Sequence, residues 1–147
     1  EFVLFDLGVI LSGYCSDMTR TVFWGKAPAK ARKMYKAVLD AQLASEAAVH
    51  AGITCGDADR AARRVLEKQG FGKYFTHSTG HGVGLEIHEN PRVAAKQTAV
   101  LREGMAITIE PGAYVEGFGG VRIEDIVIVR KDHAEVLTQT PKELLEL

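Results

Sequence analysis

The chain has 147 residues, with 18 Lys+Arg against 19 Asp+Glu and a formal net charge of −1 at neutral pH. That length suits one domain with a sizeable core, and 46% hydrophobic against 25% charged residues excludes a disordered segment. The balanced charge argues against nucleic-acid or acidic-membrane partners, and no apolar run approaches the ~20 residues needed to span a bilayer.

Taken in chain order, residues 2–10 form a β-rich apolar run and residues 14–24 a second, with Leu11-Ser12-Gly13 as the turn between them. If Ile10 lies opposite Gly13, then Asp6 falls opposite Asp17 and their Cβ atoms approach to ~5 Å. Like charges so placed repel, the more so among apolar neighbours, and a cation between them reverses the sign. A solvated edge, or a register slipped by one, accounts for this pair equally well.

From Ala29 to His50 the period changes to that of a helix, with Ala31, Met34, Tyr35, Val38, Ala41, Ala48 and Val49 on one stripe. Lys30, Arg32, Lys33 and Lys36 form its solvated face. Gly52 is expected to stop this helix. Thr54-x-x-Asp57 reads as a capping box that opens a second helix to about Gln69, with Ala58, Ala61, Ala62, Val65 and Leu66 inward. Beyond Gly72, residues 105–110 and 121–129 alternate as strands, and a short strand follows at residues 134–137. Strands, then helices, then strands describe an α+β domain over residues 1–147.

Cys15 and Cys55 are too few for a disulfide framework or a Cys-based zinc site. They read as reduced thiols in a cytoplasmic protein. His50 and His133 read as surface residues. The opening Glu1-Phe2-Val3-Leu4-Phe5, strand-like and without an initiating Met, suggests a piece of a longer protein.

Chemistry concentrates in three places. His77, His81 and His88 fall within twelve residues that also hold Gly80, Gly82 and Gly84. Imidazole is the commonest metal ligand and a proton shuttle near neutrality. The spacing is neither His-Glu-x-x-His nor a dinucleotide-binding glycine pattern. Glu110 ends an alternating strand, on the face of Ala106 and Thr108 and opposite Met105, Ile107 and Ile109. Glu124 sits among Val and Ile, so it needs a partner, and Arg122 on the same face is the simplest one. Asp6, Asp17, Glu110 and Glu124 together carry −4, which two divalent cations balance. Oxygen-rich ligation with one imidazole suits Mn, Fe, Co or Zn, and two adjacent ions can hold a hydroxide and polarise a carbonyl.

Phe5-Asp6-Leu7-Gly8, Cys15-Ser16-Asp17-Met18-Thr19-Arg20, His77 to Gly84, Ile109-Glu110-Pro111-Gly112 and Gly120 to Asp125 resemble, in order, the signature blocks of the pita-bread metallopeptidases. These include aminopeptidase P, prolidase and methionine aminopeptidase. The resemblance implies the C-terminal half of that catalytic domain, a mainly antiparallel curved sheet with two long helices, with the upstream half absent from this chain. It implies a peptidase of Xaa-Pro bonds working through a metal-bridging hydroxide, with two divalent ions, manganese foremost. Asp17 and Glu124 would bridge the ions, Asp6 would complete one shell, and His81 with Glu110 the other. Glu110 would also be the base, His88 would meet the substrate amide, and His77 and Arg122 would line the substrate side. The substrate implied is a peptide with proline second, and the assembly a homodimer. Arg122 just before the bridging Glu favours the Xaa-Pro branch over methionine aminopeptidase. A catalytically silent binding module is the other alternative, and the intact ligand set speaks against it.

Overall fold

The computed structural model describes all 147 residues. Eleven strands and two helices follow one another as β1 (Phe2–Leu7), β2 (Ile10–Leu11), β3 (Tyr14–Cys15), β4 (Met18–Phe23), α1 (Ala29–Ala48), α2 (Cys55–Lys68), β5 (Gly80–Gly82), β6 (Glu89–Val93), β7 (Ala106–Ile109), β8 (Gly112–Val115), β9 (Gly119–Arg122), β10 (Asp125–Val129) and β11 (Ala134–Val136). Every paired strand is antiparallel. A five-stranded sheet in the order β11-β10-β7-β5-β6 is accompanied by the pairs β1-β4, β2-β3 and β8-β9.

The first hairpin departs from the expected register. Ser12 and Gly13 both take positive φ, 52° and 86°, as a tight two-residue hairpin loop requires. Leu11 therefore meets Tyr14, Ile10 meets Cys15, and Asp6 meets Thr19 rather than Asp17. The shift is two residues, so both aspartates keep the same face. They are diagonal neighbours instead of direct opposites.

Helix α1 begins just after Pro28 and ends at Ala48, where Val49 turns extended. Gly52 belongs to the following loop and does not cap the helix. The capping box of α2 forms as the sequence implies, Thr54 accepting from the Asp57 backbone N–H and the Asp57 carboxylate from that of Thr54. The helices pack together over Met34, Val38, Ala41, Ala62 and Leu66, and beneath them lie Ala113, Val121 and Ile123 from the β8-β9 region. A second core joins Val49 and Ala58 to Ile107, Ile109, Val127 and Val129 of the large sheet. The alternating run at 121–129 is two strands, broken at Ile123-Glu124. His50 is half-buried, its Nδ1 near the Ala51 carbonyl, and not the surface residue expected; His133 is exposed.

Beneath the break lies a buried ionic cluster. Arg20 donates to the carbonyls of Thr19, Glu124, Thr140 and Pro141 and pairs with Asp125 at 2.6 Å. Asp125 also meets Lys142 at 2.5 Å, and Lys142 reaches Glu46 of α1 at 2.8 Å. The buried charges are thus paired and hydrogen-bonded, as burial demands.

Candidate metal centre

Asp17, His81 and Glu124 lie together, each offering a donor atom within 4.8 Å of the others. Asp17 sits just before β4, His81 is central in β5, and Glu124 occupies the break between β9 and β10. An isolated antiparallel bridge from Thr19 to Glu124 joins the hairpin to this break. It brings residues 107 positions apart in sequence, Asp17 and Glu124, to one point.

Glu110 adjoins the group, with Oε1 3.2 Å from His81 Nε2. The Thr108 hydroxyl donates to Glu110 Oε1 at 3.2 Å and accepts the His81 backbone N–H at 3.0 Å. Asp6 lies to the other side, exposed, its Oδ2 ion-paired to the Arg122 guanidinium. Arg122 is therefore the partner of Asp6. Glu124 is satisfied instead by the Thr19 hydroxyl, which donates to Oε2 at 2.5 Å.

Electrostatics single out the same residues. Burial, then Glu110 and Asp17, push the Glu124 carboxyl up to about 8 against the opposing hydroxyl of Thr19. Burial, then Asp6, raise that of Asp17. Burial pulls the His81 imidazole down, but Glu110, the Gly82 carbonyl and Asp17 outweigh it and leave it raised. The group is short of positive charge, and proton uptake is its only remedy without a cation. His81 Nδ1 lies 2.9 Å from the Gly82 carbonyl, which can only accept, so Nδ1 carries the proton. Nε2 faces Asp17 Oδ2 at 3.7 Å and Glu110 Oε1 at 3.2 Å, and in the absence of a cation it shares a proton with Glu110. A ring oriented by a backbone carbonyl through Nδ1, with Nε2 turned to carboxylates where a cation could replace that proton, is the arrangement of a metal-ligating histidine. The donor set, carboxylates with one imidazole, fits hard to borderline divalent ions.

A cavity of about 710 Å³ opens beside this group, its lining including His77, His88, Arg92, Tyr114 and Arg122. His88 is exposed and stands edge-on to His81, ring centres 4.4 Å apart. His77 is half-buried; its Nδ1 donates to the Ser78 carbonyl at 2.7 Å and its Nε2 lies 3.1 Å from the Tyr114 hydroxyl. Burial lowers its imidazole pKa, so the ring is neutral, accepting from Tyr114. Arg122 Nη1 in turn donates to Tyr114 at 3.3 Å.

Tyr114, Thr19 and Thr108 are the participants that sequence reading missed. Thr19 and Thr108 each stand two residues from an acidic candidate, Asp17 and Glu110, on the same strand face, and a period of two was the available signal. Nothing in the sequence points to Tyr114.

The profile of Metallopeptidase family M24 matches residues 1–131. The chain is 48% identical over 145 residues to the Xaa-Pro dipeptidase of Pyrococcus furiosus, covering 99% of this chain and 42% of that protein. Among solved structures, an Xaa-Pro dipeptidase from Bacillus anthracis superposes with a TM-score of 0.98 at 49% identity, covering 99% of this chain and 41% of that one. An X-Pro aminopeptidase from Thermotoga maritima superposes with a TM-score of 0.96 at 35% identity, with the same coverages. The chain spans about two fifths of the length of these relatives.

Proposed function

From the premise that this chain belongs to metallopeptidase family M24 and has the pita-bread fold, we propose that residues 1–147 are the C-terminal portion of the catalytic domain of an Xaa-Pro peptidase, a cytoplasmic enzyme using two divalent metal ions. The observation that carries the reading is the meeting of Asp17, His81 and Glu124 donors within 4.8 Å. Asp17 and Glu124 would be the central ligands, Asp6 would serve one ion, and His81 with Glu110 the other. Only Oδ2 of Asp6 is engaged by Arg122, so Oδ1 is left for this purpose. When bound, the ions supply Lewis-acid chemistry at a carbonyl and at water, with manganese the leading candidate.

The protein groups do the rest. Glu110 is the general base: Oε1 is held by Thr108, and Oε2, 3.9 Å from Arg122 Nε, takes the proton of the attacking water. His88 contacts the substrate amide from the exposed side. His77, held neutral, and Arg122 line the pocket for a substrate with proline in second place. The resemblance to relatives named as Xaa-Pro peptidases and the Arg122 beside Glu124 support this branch over methionine aminopeptidase.

The test is hydrolysis by the full-length protein, chelated and then reloaded with Mn, of Xaa-Pro dipeptides and of longer peptides with proline second. Metal-dependent cleavage of either supports the reading, and their ratio separates dipeptidase from aminopeptidase. Cleavage restricted to Met-Ala peptides, or none with metal bound, overturns it.

A further inference from the structure

Helix α2 contributes no ligand, yet it grips the segment that carries His77. Asp59, buried in α2, receives Arg63 in a two-pronged pair, Nε to Oδ2 at 2.7 Å and Nη2 to Oδ1 at 3.0 Å. The same guanidinium turns outward from the helix. Its Nη1 donates to the Phe75 carbonyl at 3.1 Å and its Nη2 to the His77 carbonyl at 2.6 Å. The Phe75 ring lies 4.1 Å from the guanidinium carbon. Asp59 Oδ1 also accepts the Thr79 hydroxyl at 2.8 Å.

One ion pair thus holds the chain at alternate residues, 75, 77 and 79, in a stretch with no helix or strand of its own. This stretch has two outputs into the site. The His77 ring, packed edge-on against Phe75 with centres 5.0 Å apart, faces the cavity. The Thr79 carbonyl accepts the Glu110 backbone N–H at 2.7 Å. We propose that Asp59 and Arg63 are positioning residues of the peptidase reaction, setting the His77 ring and the Glu110 backbone against the substrate; this rests on the function proposed above. Neither touches a reacting atom. The planar fork is essential, because the ammonium of a lysine cannot serve a carboxylate and two carbonyls in these directions at once. Small displacements of positioning groups can cost about 100-fold in rate.

The experiment uses the full-length, Mn-loaded protein with Arg63→Gln, Arg63→Lys, His77→Asn and the double variant Arg63→Gln/His77→Asn. It reads kcat and KM on an Xaa-Pro dipeptide, Mn affinity, and the ring signals of ¹⁵N-labelled histidines at fixed pH. Each Arg63 variant is expected to lower kcat/KM about 10- to 100-fold while Mn affinity changes less than about threefold. The His77 ring signals move and those of His133 do not. The double variant loses less than the product of the two single losses, because the part of the Arg63 effect that passes through the His77 ring is already gone in His77→Asn. Losses that multiply in the double variant, or unmoved His77 signals, overturn the proposal. Should Arg63→Gln fail to fold, Arg63→Lys and Thr79→Val carry the same readouts. If the wild type cleaves no Xaa-Pro bond, the functional reading falls by itself; the ring signals then decide the clamp, displacement upholding it and constancy refuting it.

Discussion

The Thr19 hydroxyl gives its single proton to Glu124 Oε2 at 2.5 Å and accepts the Arg122 Nε–H at 3.0 Å. One oxygen therefore sets the direction of the most strongly perturbed carboxylate and stands between it and the nearest cation. Glu124 has no direct ion pair, so without a cation it holds a proton that a cation would displace, while Arg122 is drawn to Asp6 and Tyr114.

Replacing Thr19 by Val removes both contacts with little change in shape. Mn affinity of the full-length protein should fall about 10- to 100-fold, as for other groups that orient ligands, and Thr19→Ser should retain most of it. Calorimetric titration with Mn checks this.

Asp17→Asn and Glu124→Gln each relieve crowding among carboxylates. The metal-free variants should melt higher than the wild type and lose the rise in Tm that added Mn gives it. Melting curves with chelator and with Mn test both halves, and an undiminished Mn response in either variant removes that residue from the ligand set.

The metal-free protein should lose stability as pH rises. Glu124, Asp17 and His81 all have folded-state pKa values above their ordinary ones, so the native state holds their protons more tightly. That stabilisation is complete below the ordinary carboxyl values and is lost as pH climbs; for Glu124 the window runs from 4.5 to about 8. Tm measured against pH in chelator should decline across this window, and Glu124→Gln should flatten the decline.

Gly80 illustrates a different constraint. A Cβ there would sit 1.9 Å from the Thr108 carbonyl oxygen, where no side chain can yield. Gly80→Ala should destabilise by about 1–3 kcal/mol or more, measured by urea unfolding, because β5 and β7 must separate to accept it.

Residue type and short-range period made most of the elements legible. Thr54 to Asp57 named its own cap, and Thr108 with Glu110 against Ile107 with Ile109 fell on the faces that alternation implies. The hairpin register was missed because loops at Leu11-Ser12 and at Ser12-Gly13 are both two residues long, and backbone torsions alone choose between them. The even shift spared the facing of Asp6 and Asp17. The 121–129 strand was read as continuous because Ile123 and Glu124 keep the alternation through the break. What breaks it is tertiary: Thr19 and Arg20, more than 100 residues away, take the Glu124 backbone. The Arg20, Asp125, Lys142 and Glu46 cluster was invisible for the same reason, since its charges find each other only in space.

That cluster also redraws the boundary of the unit. The family profile ends at residue 131, yet Thr140 and Pro141 supply carbonyls to Arg20, Lys142 neutralises Asp125, and Leu145 and Leu147 extend backbone bonding to Phe23. A chain cut at the profile's edge would strip a buried guanidinium of two of its five acceptors and leave two carboxylates without their ammonium. The last sixteen residues act as a keystone, and any trimmed version meant to keep the centre in shape has to include them.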